Sequence, residues 1–383
     1  MLTKLDELMC HQTVAAFDCV VDSSRNWTEK IYFSAFDTSG KIAMNAGFGK
    51  YPNRNVMDGY GGVALMDRQY TVRASRELQP DVNTVKIGPL SYEVVEPLKR
   101  VRICLGENDY GVSFDLVFEG RVPALEEPAG FTRLRGKLVN HTIRFYQTGV
   151  ASGEITVEGK TYEVKKNSSY AVRDHSWGIR AMAGVPPSGS WWFREGMGLP
   201  ESGMPPSPPM PGLFASLFNM QFKEYGIFYT YTEGSDGRPI PVGVAGVGGF
   251  LVYPFGDTRP PIRIADGRFQ FEFFPGTRRV KSVHQAVFIL EDGTKLEMST
   301  KSLGIVFHAR AGGYFGFKGW WHGKWMGPYA IDGERLDLTD EKLLDELIGV
   351  NDIAHECRCG NEVGYGIVEP IALGNLPKYG LKA

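Results

Sequence analysis

The segment from Tyr170 to Arg180 reads YAVRDHSWGIR and gathers Arg173, Asp174, His175, Ser176 and Trp177 at consecutive positions. On an extended chain successive side chains alternate, so Arg173, His175 and Trp177 share one face and Asp174 and Ser176 share the other. A carboxyl group facing an apolar cavity has its pKa raised by desolvation, so it can hold a proton near neutral pH and deliver it. An indole beside it, here Trp177, attracts a developing cation. These groups suit proton-initiated chemistry on an alkene, with Asp174 and His175 as candidate catalytic residues and Trp177 shaping the cavity. The bland alternative is a structural corner, in which Asp174 accepts backbone hydrogen bonds, His175 is a satisfied core imidazole and Trp177 plugs a barrel end.

Other clusters are weighed in the same way. GGYFGFKGWWHGKWMGP holds Trp320, Trp321, His322 and Trp325 among glycines. Such tryptophans pack cores or interfaces, and Trp321 is a candidate for lining a ligand cavity. Glu362 and Glu369 bracket VGYGIV, and a strand would put Glu369 on the face of Val363, Tyr365 and Ile367, as a buried carboxylate or in a strand-end salt bridge. His355, Cys357 and Cys359 would share one side of a strand, but zinc sites draw on separated ligand pairs and no second pair is visible, so no metal site is assigned. HExxH, GxxxxGK[ST], GxSxG and the kinase set are all missing from the sequence.

The elements that must position these residues are strands. In GVSFDLVFEG, Val112, Phe114, Leu116 and Phe118 face one way and Ser113 and Asp115 the other, and Phe269, Phe271 and Phe273 alternate likewise in GRFQFEFF. Asp-Gly pairs at Asp58, Asp236, Asp266, Asp292 and Asp332 predict tight hairpin turns between antiparallel neighbours. Ile155 and Val157, then Glu158-Gly159-Lys160, then Tyr162 and Val164 read as a hairpin leading into RDHSWG. The glycine-rich stretch from Gly243 to Tyr253 reads as a closely packed strand, since no strand-helix alternation surrounds it. One short helix is predicted near the C-terminus, capped by Thr339, with Leu343, Leu344, Leu347 and Ile348 as its stripe and Gly349 at its end.

Between Val185 and Gly212 the chain carries eight prolines, which bars it from a regular sheet. The expected division is a β domain over 1–185, a Pro/Gly/Met-rich linker or lid over 186–212, and a second β domain over 213–383. Trp191 and Trp192 in the linker are expected to be buried against the cavity. With 383 residues and 43% apolar content the chain can bury a large core. The 42 basic and 44 acidic residues give no electrostatic reason to expect nucleic acid. Five cysteines, an N-terminus without an apolar signal region and no apolar run long enough to span a bilayer predict a cytoplasmic protein with reduced thiols and no transmembrane segment.

The RDHSWG segment, flanked by a hairpin and an aromatic stretch, resembles the lipocalin-like family of bacterial carotenoid 1,2-hydratases (hydroxyneurosporene synthases) and AttH-like proteins. An early NWTEKIYFSAFD followed by GFGKYPNRN, and a late GYGIVEP, extend the likeness over most of the chain. The resemblance implies two lipocalin-like β domains and a hydrophobic, isoprenoid-like or aromatic compound bound in or between them. It also implies chemistry without a redox cofactor, as hydratase, lyase, isomerase or cyclase. Asp174, His175 and Trp177 match the motif positions. A hydratase is expected to place another carboxylate on the next strand, where SLFNMQF supplies Asn219 and Gln221, amides able to orient a water or polarise a carbonyl. Two other readings use the same chain: a non-catalytic carrier of a hydrophobic ligand, and an interaction protein recruited through PPSPPMP at Pro205 to Pro211.

Overall fold

The computed structural model describes residues 4–9, 20–134, 136–180, 212–241 and 247–382. The first half supplies β1 (Trp27–Asp37), β2 (Ala43–Tyr51), β3 (Val56–Ala64), β4 (Arg68–Glu77), β5 (Lys86–Ile87), β6 (Leu90–Glu96), β7 (Arg100–Leu105), β8 (Val112–Gly120), β9 (Leu125–Glu126), β10 (Gly130–Leu134), β11 (Lys137–Val157), β12 (Lys160–Val164) and β13 (Ser169–Ile179). The second supplies β14 (Leu213–Gln221), β15 (Gly226–Gly234), β16 (Gly248–Val252), β17 (Ile262–Phe273), β18 (Val280–Leu290), β19 (Lys295–His308), β20 (Tyr329–Asp337), the helix α1 (Glu341–Glu346), β21 (Asn351–Cys359) and β22 (Glu362–Leu373). The chain is thus mainly β, with a curled sheet, a closed antiparallel barrel and, among the described residues, one short α-helix, the class that the alternating pattern predicts.

The curled sheet runs in the order β20-β4-β3-β2-β1-β13-β11-β8-β7-β6-β5, and β14 to β19 close with β21 and β22 into an eight-stranded barrel. Inward residues of the sheet, among them Ile31, Phe33, Phe48, Val101, Leu116 and Phe118, form one core. The barrel interior is filled by rings: Phe218 stacks on Phe269 at 4.0 Å and Phe214 meets Phe271 at 4.5 Å. The outer faces of sheet and barrel meet along an apolar seam, with Phe36, Tyr170 and Val172 on one side and Phe307, Ala354 and Ile367 on the other.

After β19 the chain leaves the barrel, crosses the outer face of the sheet over residues 309–328, and adds β20 to the sheet edge beside β4 before α1 returns it to β21. Strand β20 of the second half is therefore hydrogen-bonded into the sheet of the first. Two local expectations are corrected. The cap of α1 is Asp340, which accepts from the Lys342 and Leu343 amides, while Thr339 donates its hydroxyl to Asp337. The pairs at Asp58, Asp266 and Asp332 lie inside β3, β17 and β20 rather than in turns, because their glycines admit a close neighbour: a Cβ on Gly267 would stand 2.6 Å from the Tyr229 ring, and one on Gly333 2.5 Å from the Tyr110 ring.

Candidate active site between the sheet and the barrel

Strand β13 is buried on nearly its whole length, since one face packs into the sheet core and the other against the barrel. Every polar side chain on it therefore needs a partner. On the inner face Arg173 donates to Gln147 Oε1 through Nε and Nη2, at 2.9 and 2.7 Å, and to Glu7 through Nη1, with its guanidinium over the Phe118 and Phe145 rings. His175, also inward, donates from Nε2 to Glu29 Oε1 at 2.9 Å and meets Phe145 and Trp177 edge to face. This face is a structural network of buried hydrogen bonds and ring contacts.

Asp174 and Ser176 face the barrel, and pairing with β1, β2, β3 and β11 sets them in two cross-strand rows. One row reads Asp58, Gly49, Lys30, Ser176, Arg144 from β3 to β11. The next reads Tyr60, Gly47, Tyr32, Asp174, Tyr146. The glycines at 47 and 49 leave room for tyrosines: a Cβ at either would stand within 2.6 Å of Tyr60 or Tyr51.

The barrel and the 309–328 crossing close over these rows. From β21, Asp352 accepts hydrogen bonds from Tyr32 Oη and from Asn45 Nδ2, the latter at 2.8 Å, and Tyr60 donates to Asn45 Oδ1. Glu369 of β22 is half-buried on the same outer face of the barrel, opposite Leu217. From the crossing, His322 stacks on Tyr60 and receives a hydrogen bond from Lys30 Nζ on Nδ1, while its Nε2 donates to Gly312 O at 3.2 Å. Those two contacts fix a neutral tautomer protonated on Nε2. Lys30 Nζ also lies 4.3 Å from the centre of the Tyr314 ring. Arg144 donates to Glu127 at 2.7 Å and lies 3.6 Å from Asp174, and Arg180 donates to Ser176 Oγ at 2.6 Å.

Burial dominates the electrostatics here. It raises Asp174 above the ordinary carboxyl value against the pull of Arg144, Arg180 and Lys30. Glu369 is pushed well up by burial and then by the neighbouring charge of Asp352, which is itself raised by burial. Asp58 is pushed up to about 6 by burial. Lys30, losing hydration and facing Arg180, is lowered to about 7. Acids raised and an amine lowered on one buried face make a centre able to give and take protons near neutral pH.

Of the residues singled out in the sequence, the structure brings Asp174 into this centre and puts His175 and Trp177 on the far face of the sheet. Asn219 is buried on the barrel's outer face, in a small cleft that Tyr146, Leu217 and Glu127 also line. Gln221 accepts from Thr148 at 2.6 Å and donates to Tyr225 O at 3.0 Å, tying the barrel to the sheet. Trp321 carries Lys324 over its ring at 4.0 Å. Trp191 and Trp192 lie outside the described residues. His355 is enclosed in the barrel, where burial lowers it to about 4, and no metal-binding group is found among the described residues. Sequence reasoning did not single out Lys30, Tyr32, Asp58, Arg144 or Asp352. The legible signal was a lysine leading directly into the apolar run IYF of the strand EKIYF, where a solvent-facing role is not required by the alternation.

A separate cavity of about 580 Å³ opens on the other side of the sheet, lined by Glu7, Lys50, Val82, Val85, Tyr92 and Val94 among others. Neither Asp174 nor His175 lines it.

No curated protein matches the chain. Among solved structures, kievitone hydratase from Nectria haematococca is similar at 12% identity and a TM-score of 0.42, over 89% of this chain and 88% of that one. CghA with Sch210972 is similar at 11% identity and a TM-score of 0.45, over 92% and 90%, and CghA alone at 12% with the same score and coverage. A family model matches residues 2–382, and the chain belongs to that family, a family of unknown function designated DUF8625.

Proposed function

We propose that this protein is an acid–base enzyme acting on a hydrophobic small molecule held between the curled sheet and the barrel. The observation that carries the reading is the pairing of Asp174 and Lys30 in adjacent rows of one buried face, opposite the barrel carboxyls Asp352 and Glu369. Asp174 serves as general acid: burial raises its pKa and so eases its protonation, and Arg144, Arg180 and Lys30 stabilise the carboxylate left after transfer. Tyr32 and Tyr60 stay neutral, since burial raises both hydroxyls, and by donating to Asp352 and Asn45 they hold those polar groups in place between sheet and barrel. Glu369 is the second carboxyl that the strand after the motif does not supply. It reaches the site because β22 lies beside β14 in the closed barrel. Reactions that such a set supports are addition or loss of water, isomerisation and ring closure on an isoprenoid-like or aromatic skeleton.

A carrier reading has its own support in the cavity above Glu7 and Lys50, where Leu8, Met9, Val82, Val85 and Val94 supply apolar wall. One experiment separates the two. Purified protein and its Asp174→Asn variant are incubated with an apolar cell extract and followed by mass spectrometry. Consumption of a compound by the wild type alone, with an isomer or a product differing by one water appearing, supports the enzyme. Release of the same unaltered compound from both proteins supports the carrier and sinks the enzyme.

A further inference from the structure

Lys30 and Lys50 are the buried lysines among the described residues. The Lys50 ammonium is directed at the backbone carbonyls of Val82 and Met9. Lys30 is different: among the described residues no carboxylate lies within ion-pair distance of its Nζ, and its hydrogen-bond partner is the imidazole Nδ1 of His322. A buried amine normally has a counter-ion, because an unpaired ammonium out of water is costly. Asp174 is a diagonal neighbour on β13 and Asp58 lies two strands away in the same row, close enough to act electrostatically but not paired to it, and Arg180, just after β13, and Arg144 of β11 oppose its charge. The face of the Tyr314 ring covers one side of the amine, and the His322 imidazole takes its hydrogen bond. Such surroundings, an aromatic face and an imidazole acceptor with no paired carboxylate among the described residues, favour a free amine.

We propose that Lys30 is a nucleophile that forms an imine with an aldehyde or ketone carbon of the hydrophobic substrate. This rests on the acid–base reading of the site and names a substrate class for it. The unprotonated Nζ attacks the carbonyl carbon, the new N–C bond forming as the C=O π pair moves onto oxygen. That oxygen takes the proton of the Asp174 carboxyl. His322 Nδ1 receives a proton from the attacking nitrogen and returns it to the hydroxyl, which departs as water. The balance is one amine, one carbonyl and one carboxylic acid giving one protonated imine, one carboxylate and one water, with no redox change. The cationic imine then withdraws electrons from the adjacent carbon, which eases proton removal or conjugate addition there.

The test is reductive trapping. Full-length protein is mixed with cinnamaldehyde and cyanoborohydride at pH 7.5, and labelled peptides are quantified by mass spectrometry. The proposal expects Lys30 to be alkylated well ahead of exposed lysines such as Lys160, with labelling rising through a midpoint near the Lys30 pKa of about 7. His322→Gln should slow the Lys30 adduct by about tenfold or more, with circular dichroism unchanged. Labelling confined to exposed lysines, or a Lys30 rate no greater than theirs, overturns it. In the extract assay, Lys30→Gln that still converts the compound while Asp174→Asn does not would remove the imine and leave the acid–base centre standing. Wild-type protein that converts nothing would instead remove the acid–base reading itself.

Discussion

At Asp174 the burial penalty on the charged form outweighs the pull of neighbours led by Arg144 and Arg180, and that balance has two consequences. A carboxyl with a raised folded pKa contributes stability that is present below its unfolded value of 3.8 and is lost as pH rises through the folded one. Asp174→Asn should therefore fall by about a hundredfold or more in turnover while matching or exceeding the wild type in urea midpoint at pH 7. A variant that loses stability as well as turnover would make Asp174 a structural residue. Lys30 runs the other way. Its folded pKa is lowered from 10.5 to about 7, so its contribution is fully present above 10.5 and is lost as pH falls through about 7. Urea midpoints of the wild type should rise between pH 7 and 10.5 relative to those of Lys30→Met, and parallel curves would contradict the lowered pKa. Much of this residue-level picture was legible: period-two arithmetic put Asp174 and His175 on opposite faces of one strand. Which face met the barrel was not, because β13 is apolar-flanked on both sides and alternation marks a solvent face only when one exists.

At the scale of the element, strands with one buried face, such as β8, were readable from their alternation, and so was the hairpin joining β11 to β12. The sequence was misread where a residue serves a neighbour rather than its own strand. Asp58-Gly59 carries the letters of a turn, yet it lies within β3, where Asp58 accepts from the Gly323 amide at 2.5 Å and Gly59 lets β2 approach. Glycines 47 and 49 in β2 follow the same logic, since they are the thin places in the sheet that seat Tyr60 and Tyr51. A Cβ on Gly47 would stand 2.6 Å from Tyr60 Cε1. Gly47→Ala should cost about 1–3 kcal/mol in chemical denaturation through overpacking, and it should displace Tyr60 from Asn45 and so reduce turnover by more than the stability loss accounts for. Retention of full turnover in a folded Gly47→Ala protein would mean that Tyr60 has no part in the site.

For the whole molecule, the site exists because two units share strands. Strand β20 pairs with β4 from Tyr329 opposite Arg76 to Asp337 opposite Arg68, and the crossing that precedes it brings Tyr314 and His322 over the sheet. Arg73, 1% exposed on β4, is held by Ala311 O at 2.8 Å, Asp332 at 3.1 Å and Glu334 at 2.7 Å, all from the second half of the chain. No periodicity could reveal this exchange, since β20 has the same alternating look as a barrel strand. Its consequence is that neither half is complete alone. A fragment over 1–185 would expose the hydrogen-bonding edge of β4 and leave Arg73 without its partners, and such an edge invites pairing with other chains. It should therefore oligomerise or precipitate when expressed by itself, and become soluble when co-expressed with 213–383, whose β20 covers the edge. The intact chain should unfold in one cooperative transition by calorimetry, because melting the sheet strips β20 from the excursion that anchors the barrel. A soluble, monomeric 1–185 fragment with native circular dichroism, or two separate calorimetric transitions, would show that the shared strand is dispensable and that the site is assembled by face-to-face packing alone.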